Sequence, residues 1–228
     1  MRRISRICHG SIRPCGRSAG IVSAVLTVFA VVAGCENAPR VHDTTEETTF
    51  SNNSDERMRM ERAPDIECVD ASGSQCHPLR NADGRANCVM FLMTDCPICN
   101  TYAPEIARII DAYSRNTIHF SIVYVDDHIS TQKARTHAKD HGLSATILLD
   151  DSHQLSKAVG ATVAPEVAVV SADGDILYRG RIDDLYVDYG KKRMTASTHE
   201  LRDALDAIGS GHTVSVARTT AVGCYIPE

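Results

Sequence analysis

Val89-Met90-Phe91-Leu92-Met93 is an unbroken apolar run, long enough for one buried strand. Residues 97–114 follow with Ile98, Ile106, Ile109, Ile110 and Tyr113 on or near one helical face, and Pro104 inside that helix predicts a kink. Residues 118–125 (Ile-His-Phe-Ser-Ile-Val-Tyr-Val) read as the next strand. A second helix is expected over 130–141, capped by Ser130 and ended by Gly142. Residues 146–149 form a short strand and 152–159 a short helix. Residues 167–170 and 176–179 flank Asp173-Gly174-Asp175, a strong hairpin signal. A last helix spans 198–208, capped by Thr198 and stopped by Gly209. Ahead of all these, residues 68–70 and 75–79 surround a polar turn and predict a small hairpin. Strand, helix, strand, helix, strand, hairpin and helix describe an α/β domain with a mixed central sheet flanked by helices.

The pattern fails on both sides of that domain. Residues 35–63 are polar and charged with few large apolar groups, and cannot bury enough surface to offset their ordering entropy. They read as a flexible tether, with the domain over 64–210 and a C-terminal tail over 211–228 that carries Cys224. Before the tether, Arg2, Arg3, Arg6, Arg13 and Arg17 precede an apolar stretch over 21–32 that closes on Ala33-Gly34-Cys35. A basic start, a short apolar run and small residues describe an export signal over 1–34. The run is short against the roughly 20 residues of a bilayer span. Val32-Ala33-Gly34-Cys35 resembles a bacterial lipobox, which implies lipid on the Cys35 thiol and cleavage before it. An uncleaved anchor helix is the alternative, and either tethers the domain outside the cytoplasm. Cleavage would leave 19 basic against 29 acidic residues, a net charge of −10 that makes nucleic acid an unsuitable partner.

Of nine cysteines, Cys8 and Cys15 lie in the signal and Cys35 at its end. The remaining six are Cys68, Cys76, Cys88, Cys96, Cys99 and Cys224, in a compartment that permits disulfides. Cys96-Pro97-Ile98-Cys99 stands where a strand hands over to a helix. A cysteine at a helix N-terminus meets the positive end of the macrodipole, which favours its thiolate. The two-residue spacing brings the second sulfur one turn on. Cys96 is thus expected to attack and Cys99 to resolve the mixed disulfide. Pro97 suits the first helical turn because its missing N–H would find no partner there. Cys68 and Cys76 flank one turn and are candidates to staple it. Cys88 and Cys224 either pair, tying the tail to the start of the active-site strand, or remain thiols. A further alternative is that Cys224 exchanges with the active-site pair as an extra resolving thiol.

Phe91-Leu92-Met93-Thr94-Asp95-Cys96-Pro97-Ile98-Cys99 resembles the active-site strand and turn of the thioredoxin-like superfamily. Over residues 85–228 the likeness is closer to exported redoxin-type lipoproteins of the alkyl hydroperoxide reductase and thiol-specific antioxidant grouping. Tyr102-Ala103-Pro104-Glu105, Val123-Tyr124-Val125-Asp126, Gly160-Ala161-Thr162-Val163, residues 178–184 and Gly223-Cys224-Tyr225 carry it. The resemblance implies a thioredoxin-like fold and thiol–disulfide exchange with protein substrates and a redox partner. It also implies that Val163-Ala164-Pro165-Glu166 is a cis-proline loop beside the cysteine pair, with Ala164 and Pro165 presenting backbone to a bound peptide. No cofactor or metal is called for, since the dithiol itself carries two electrons.

Two departures stand out. Asp95 takes the place of the usual Trp before Cys96, and a nearby carboxylate disfavours the thiolate. Met93, three residues before Cys96, stands where peroxiredoxins carry Thr. A thiol-dependent peroxidase with Cys96 peroxidatic is the main alternative. A non-enzymatic or copper-binding module is another, although His128, His137, His141 and His153 fall at positions expected to be solvated. Residues 178–184 read as a salt-bridged surface turn or a docking rim.

Overall fold

The computed structural model describes residues 61–80, 83, 85–115 and 118–227. The expected signal, Cys35 and the tether up to residue 60 lie outside the described residues. Among the described residues no helix is long and apolar enough to cross a membrane.

Five strands form the central sheet in the order β5-β4-β3-β7-β8. They are β3 (Ala86–Leu92), β4 (Ile118–Tyr124), β5 (Thr146–Leu149), β7 (Glu166–Val170) and β8 (Ile176–Gly180). β3, β4 and β5 run parallel, while β7 and β8 are antiparallel to their neighbours. All seven residues of β3 are buried, as the centre of a sheet covered on both faces requires. Each large side chain enclosed there, such as Phe91 or Leu92, stabilises the fold by about 1.5–3 kcal/mol. Four helices complete the described core: α1 (Pro97–Tyr113), α2 (Thr131–Asp140), α3 (Gln154–Val159) and α4 (Glu200–Gly209). α1 stays one helix across Pro104, which is exposed. α4 is tied to α1 by Arg202 Nε donating to Glu105 Oε1 (2.8 Å) and by the Tyr113 hydroxyl donating to Asp206 (2.8 Å).

Local chemistry sets the helix ends. Ser130 Oγ accepts from Lys133 N at the start of α2, and Gly142 follows its end at φ +67°. α3 begins later than expected because Asp150, four residues upstream, accepts from the N–H groups of Leu155 and Ser156. Thr198 does not cap α4; its hydroxyl donates to Glu200, and His199 holds the cap position.

Both ends of the described stretch are also drawn into the fold. Ala63 N donates to Gly174 O and Ile176 N to Glu61 O, so Glu61 already belongs to the fold, slightly ahead of the expected residue 64. β1 (Cys68–Val69) and β2 (Gln75–Cys76) form the small hairpin. After α4 the tail runs beside β8, with Arg179 N donating to Ala217 O and Thr219 N to Arg179 O. It then crosses to β6 (Val163–Ala164), where β11 (Cys224–Tyr225) pairs antiparallel. A short ribbon of β9 (Tyr186–Asp188) and β10 (Lys191–Lys192) stands apart from the sheet.

The turn after β8 departs from its expected surface role. Ile182, Asp183 and Asp184 are buried. Asp183 accepts from the Tyr102 hydroxyl (2.7 Å), Asp184 from Thr198 N (3.0 Å), and Arg181 pairs with Glu200. These groups lock the turn to α1 and to the segment leading into α4.

Candidate active site

The parallel strand β3 ends at Leu92, and residues 93–95 turn the chain into α1. Asp126, just beyond β4, holds that turn. Both its oxygens accept from Thr94 N (3.0 and 3.1 Å), and Oδ1 also accepts from the Thr94 hydroxyl (2.8 Å). Asn100 Nδ2 donates to Thr94 O (3.2 Å), and Asn100 Oδ1 lies 2.9 Å from His137 Nε2. The Tyr124 hydroxyl completes the chain at 2.7 Å from His137 Nδ1. The neutral imidazole satisfies both neighbours by donating from Nε2 and accepting at Nδ1. Burial and nearby His141 push His137 below its ordinary pKa. His137, half-buried, is therefore a positioning group rather than the solvated histidine expected, and His153 is buried.

Cys96 occupies the N-cap position of α1 with Pro97 at its first turn. Asp95 is 84% exposed in its side chain and pairs with Lys133 Nζ at 2.8 Å, so a cation offsets the carboxylate beside Cys96. Cys99 lies one turn further in and is 1% exposed. Burial, then the Asp126 charge, raises its thiol to about 12. The Ala164–Pro165 peptide is cis, as the resemblance implied, and Ala164 O lies 3.4 Å from Cys96 Sγ. Glu166 Oε2 secures this loop by accepting from Thr162 N (2.9 Å) and Val163 N (3.4 Å).

Cys96 is not bonded to Cys99. It forms a disulfide with Cys224, 128 residues away, with Cα atoms 6.3 Å apart. Cys99 remains a buried thiol. The pairing of β11 with β6 explains this: Cys224 stands opposite Ala164, beside Cys96. Of the alternatives for Cys224, pairing with Cys88 is corrected: its bond is to a member of the active-site pair. Cys88 sits within β3 opposite Phe120 and Val169, whereas the tail reaches the far end of that strand. Gly223 permits the approach, since a Cβ there would run into the Ala164 carbonyl. Cys68 and Cys76 face each other across their hairpin as thiols, with sulfurs 3.5 Å apart, so the expected staple is poised but not closed. Sequence reasoning missed Asp126, Asn100 and His137 as supports of the site. Only Val125-Asp126, just beyond β4, carried any signal, within the redoxin-like phrase Val123-Tyr124-Val125-Asp126.

Comparison with known proteins agrees with this architecture. An uncharacterized conserved protein from Geobacillus kaustophilus superimposes with a TM-score of 0.65 at 21% identity, over 74% of this chain and 91% of that one. A hypothetical protein from Sinorhizobium meliloti 1021 gives 0.64 at 24% identity, over 73% and 92%. These likenesses concern the fold. No match is found among curated proteins. The Redoxin family model matches residues 59–186, a span that includes the Cys96 turn, Asp126 and the cis-proline loop. The chain belongs to the Redoxin family and has its thioredoxin-like fold.

Proposed function

We propose that the protein is a thiol–disulfide oxidoreductase, exported and held at the cell-envelope membrane by lipid on Cys35. Cys96 is the attacking thiol and Cys99 a resolving thiol. Ala164, Pro165 and Pro97 form the surface against which a client peptide lies. The observation that carries this reading is the position of Cys96: at the start of a 17-residue helix, against the carbonyl before a cis-proline, and already in a sulfur–sulfur bond. In the reduced protein the helix terminus favours the Cys96 thiolate. That thiolate attacks a client disulfide, forming one S–S bond and releasing one client thiolate. Cys99 then attacks Cys96 Sγ, releasing the second client thiol and leaving an oxidised protein for a redox partner to reduce. The reverse sequence oxidises a dithiol client. The peroxidase reading has less support, because the Thr94 hydroxyl is committed to Asp126 and is not free to face Cys96.

The test uses the chain from residue 35 onward, a disulfide-bonded reporter peptide and a glutathione redox buffer. Wild type and Cys88→Ala should catalyse exchange well above the buffer rate, and Cys96→Ser should not. Absence of Cys96-dependent exchange sinks the proposal.

A further inference from the structure

We propose that Cys224 is a third redox-active thiol: the segment around Gly223-Cys224-Tyr225 is a tethered client that occupies the β6 edge and holds Cys96 as an internal mixed disulfide. This deepens the oxidoreductase reading and rests on it.

Three observations point the same way. β11 pairs antiparallel with β6, placing Cys224 opposite Ala164, the residue before cis-Pro165. Ile226 N also donates to Thr162 O at 3.0 Å. An extended segment adding to this edge uses the backbone groups that a separate peptide would need. Secondly, the bond from Cys224 ends on Cys96 and leaves Cys99 as a thiol one helical turn away, the arrangement of an exchange intermediate awaiting resolution. Thirdly, the tail has separate anchoring and contact regions. The Thr219 hydroxyl oxygen lies 2.8 Å from the Tyr178 hydroxyl and accepts from Arg181 N at 3.0 Å, fixing the tail beside β8. Four residues, 220–223, separate that anchor from Cys224. Tyr225, on the far side of the cysteine, is 83% exposed.

The exchange is an internal isomerisation and needs no external oxidant or reductant. Cys99 loses its proton and attacks Cys96 Sγ. The Cys96–Cys99 bond forms, the Cys96–Cys224 bond breaks, and Cys224 departs as a thiolate that takes up a proton. β6 is then open to a client. In the reverse direction Cys224 attacks Cys96 after a catalytic cycle, restores the Cys99 thiol and closes the edge. Burial raises the Cys99 thiol to about 12, which leaves little of it as thiolate at neutral pH and slows the attack that opens the tail.

The experiment takes the chain from residue 35 onward, equilibrates it in glutathione buffers, quenches with acid, and maps disulfides after alkylation. A cysteine-containing reporter peptide then measures exchange at Cys96. Oxidised wild type should map as Cys96–Cys224 with Cys99 unmodified until unfolding. Oxidised Cys224→Ser should map as Cys96–Cys99. A tether supplies about millimolar local thiol, so ~0.1 mM peptide competes poorly, and Cys224→Ser should react about tenfold faster. Gly223→Val leaves every sulfur in place and blocks docking; it should shift the disulfide to Cys96–Cys99 and gain a similar factor. The inference is overturned, with the oxidoreductase reading intact, if Cys96-dependent exchange persists while wild type maps as Cys96–Cys99, or if neither variant reacts faster. A Cys96–Cys224 bond in a protein with no Cys96-dependent exchange overturns both and leaves an ordinary structural disulfide.

Discussion

Asp126 is the support on which the active-site turn depends. Thr94 is 5% exposed, and Asp126 is the partner of both its N–H and its hydroxyl. The two contacts to Thr94 N share one donor, so Asp126 contributes two charge-assisted hydrogen bonds. Such bonds contribute about 1.5–3 kcal/mol each, and the partial exposure of the site argues for the lower end. Asp126→Ala should therefore cost about 3 kcal/mol. Asp126→Asn keeps an acceptor and should cost about 1 kcal/mol, and Thr94→Val about 1.5 kcal/mol for the lost hydroxyl bond. The double variant Asp126→Ala/Thr94→Val should fall short of additivity by about 1.5 kcal/mol, because the hydroxyl bond is lost only once. Urea unfolding under reducing conditions measures all of these without interference from the Cys96–Cys224 bond. A second readout follows from charge. Asp126 helps hold the Cys99 thiol up, so Asp126→Asn should move Cys99 alkylation to lower pH in a background lacking Cys96 and Cys224. Stabilities of both Asp126 variants within about 0.5 kcal/mol of wild type would refute this account of the turn.

The hairpin thiols supply another test. Cys68 and Cys76 are eight residues apart with sulfurs at 3.5 Å, and closing a loop of that size adds about 2.5 kcal/mol in the chain-entropy picture. Mild oxidation should remove both thiols from a thiol count and raise Tm, an effect absent from Cys68→Ser. Alkaline stability has a defined sign. Burial raises Cys99 from 9.0 to about 12 and raises Cys88 as well, so the folded state prefers the protonated thiols. Their contribution is complete below pH 9 and is lost as pH rises toward 12, so urea midpoints should fall above pH 9 and fall less steeply in Cys99→Ala. A midpoint that rises above pH 9 contradicts that sign. Tyr178→Phe removes the donor to Arg181 O (2.6 Å) and the contact with Thr219 (2.8 Å). It should lower stability by about 1–2 kcal/mol and loosen the tail, read as faster proteolysis after residue 219.

Much of the fold is legible along the chain because its strands and helices carry strong periodic signals. The 146–149 strand, the α2 cap at Ser130 and the hairpin around Gly174 all appear where local pattern puts them. Errors arise where another group supersedes the expected one. Asp150 takes over the start of α3, and His199 rather than Thr198 occupies the N-cap position of α4. Asp183 and Asp184 look like surface because they are charged, yet Tyr102, Arg193 and the segment before α4 satisfy them in the interior. Two-residue strands such as β6 and β11 have no period to read. The Cys96–Cys224 pairing spans 128 residues, so no local spacing points to it. Gly223 is the one local clue, a residue without a side chain placed just where backbones meet.

The three cysteines of the site differ in access, and that difference bears on the roles proposed for them. Cys99 is 1% exposed behind the first turn of α1, so a client sulfur can reach it only through Cys96. Cys96 is itself 3% exposed while Cys224 is bonded to it, so the tail shuts the entry point as well as occupying it. A structural staple between the tail and the domain would gain nothing from ending on the sulfur at a helix N-terminus, where the thiolate is favoured and exchange is easiest. Cys88, Cys68 and Cys76 are thiols that burial pushes up, and a bond ending on any of them would exchange less readily. The choice of Cys96 as the tail's partner therefore favours a reversible cover over a permanent tie.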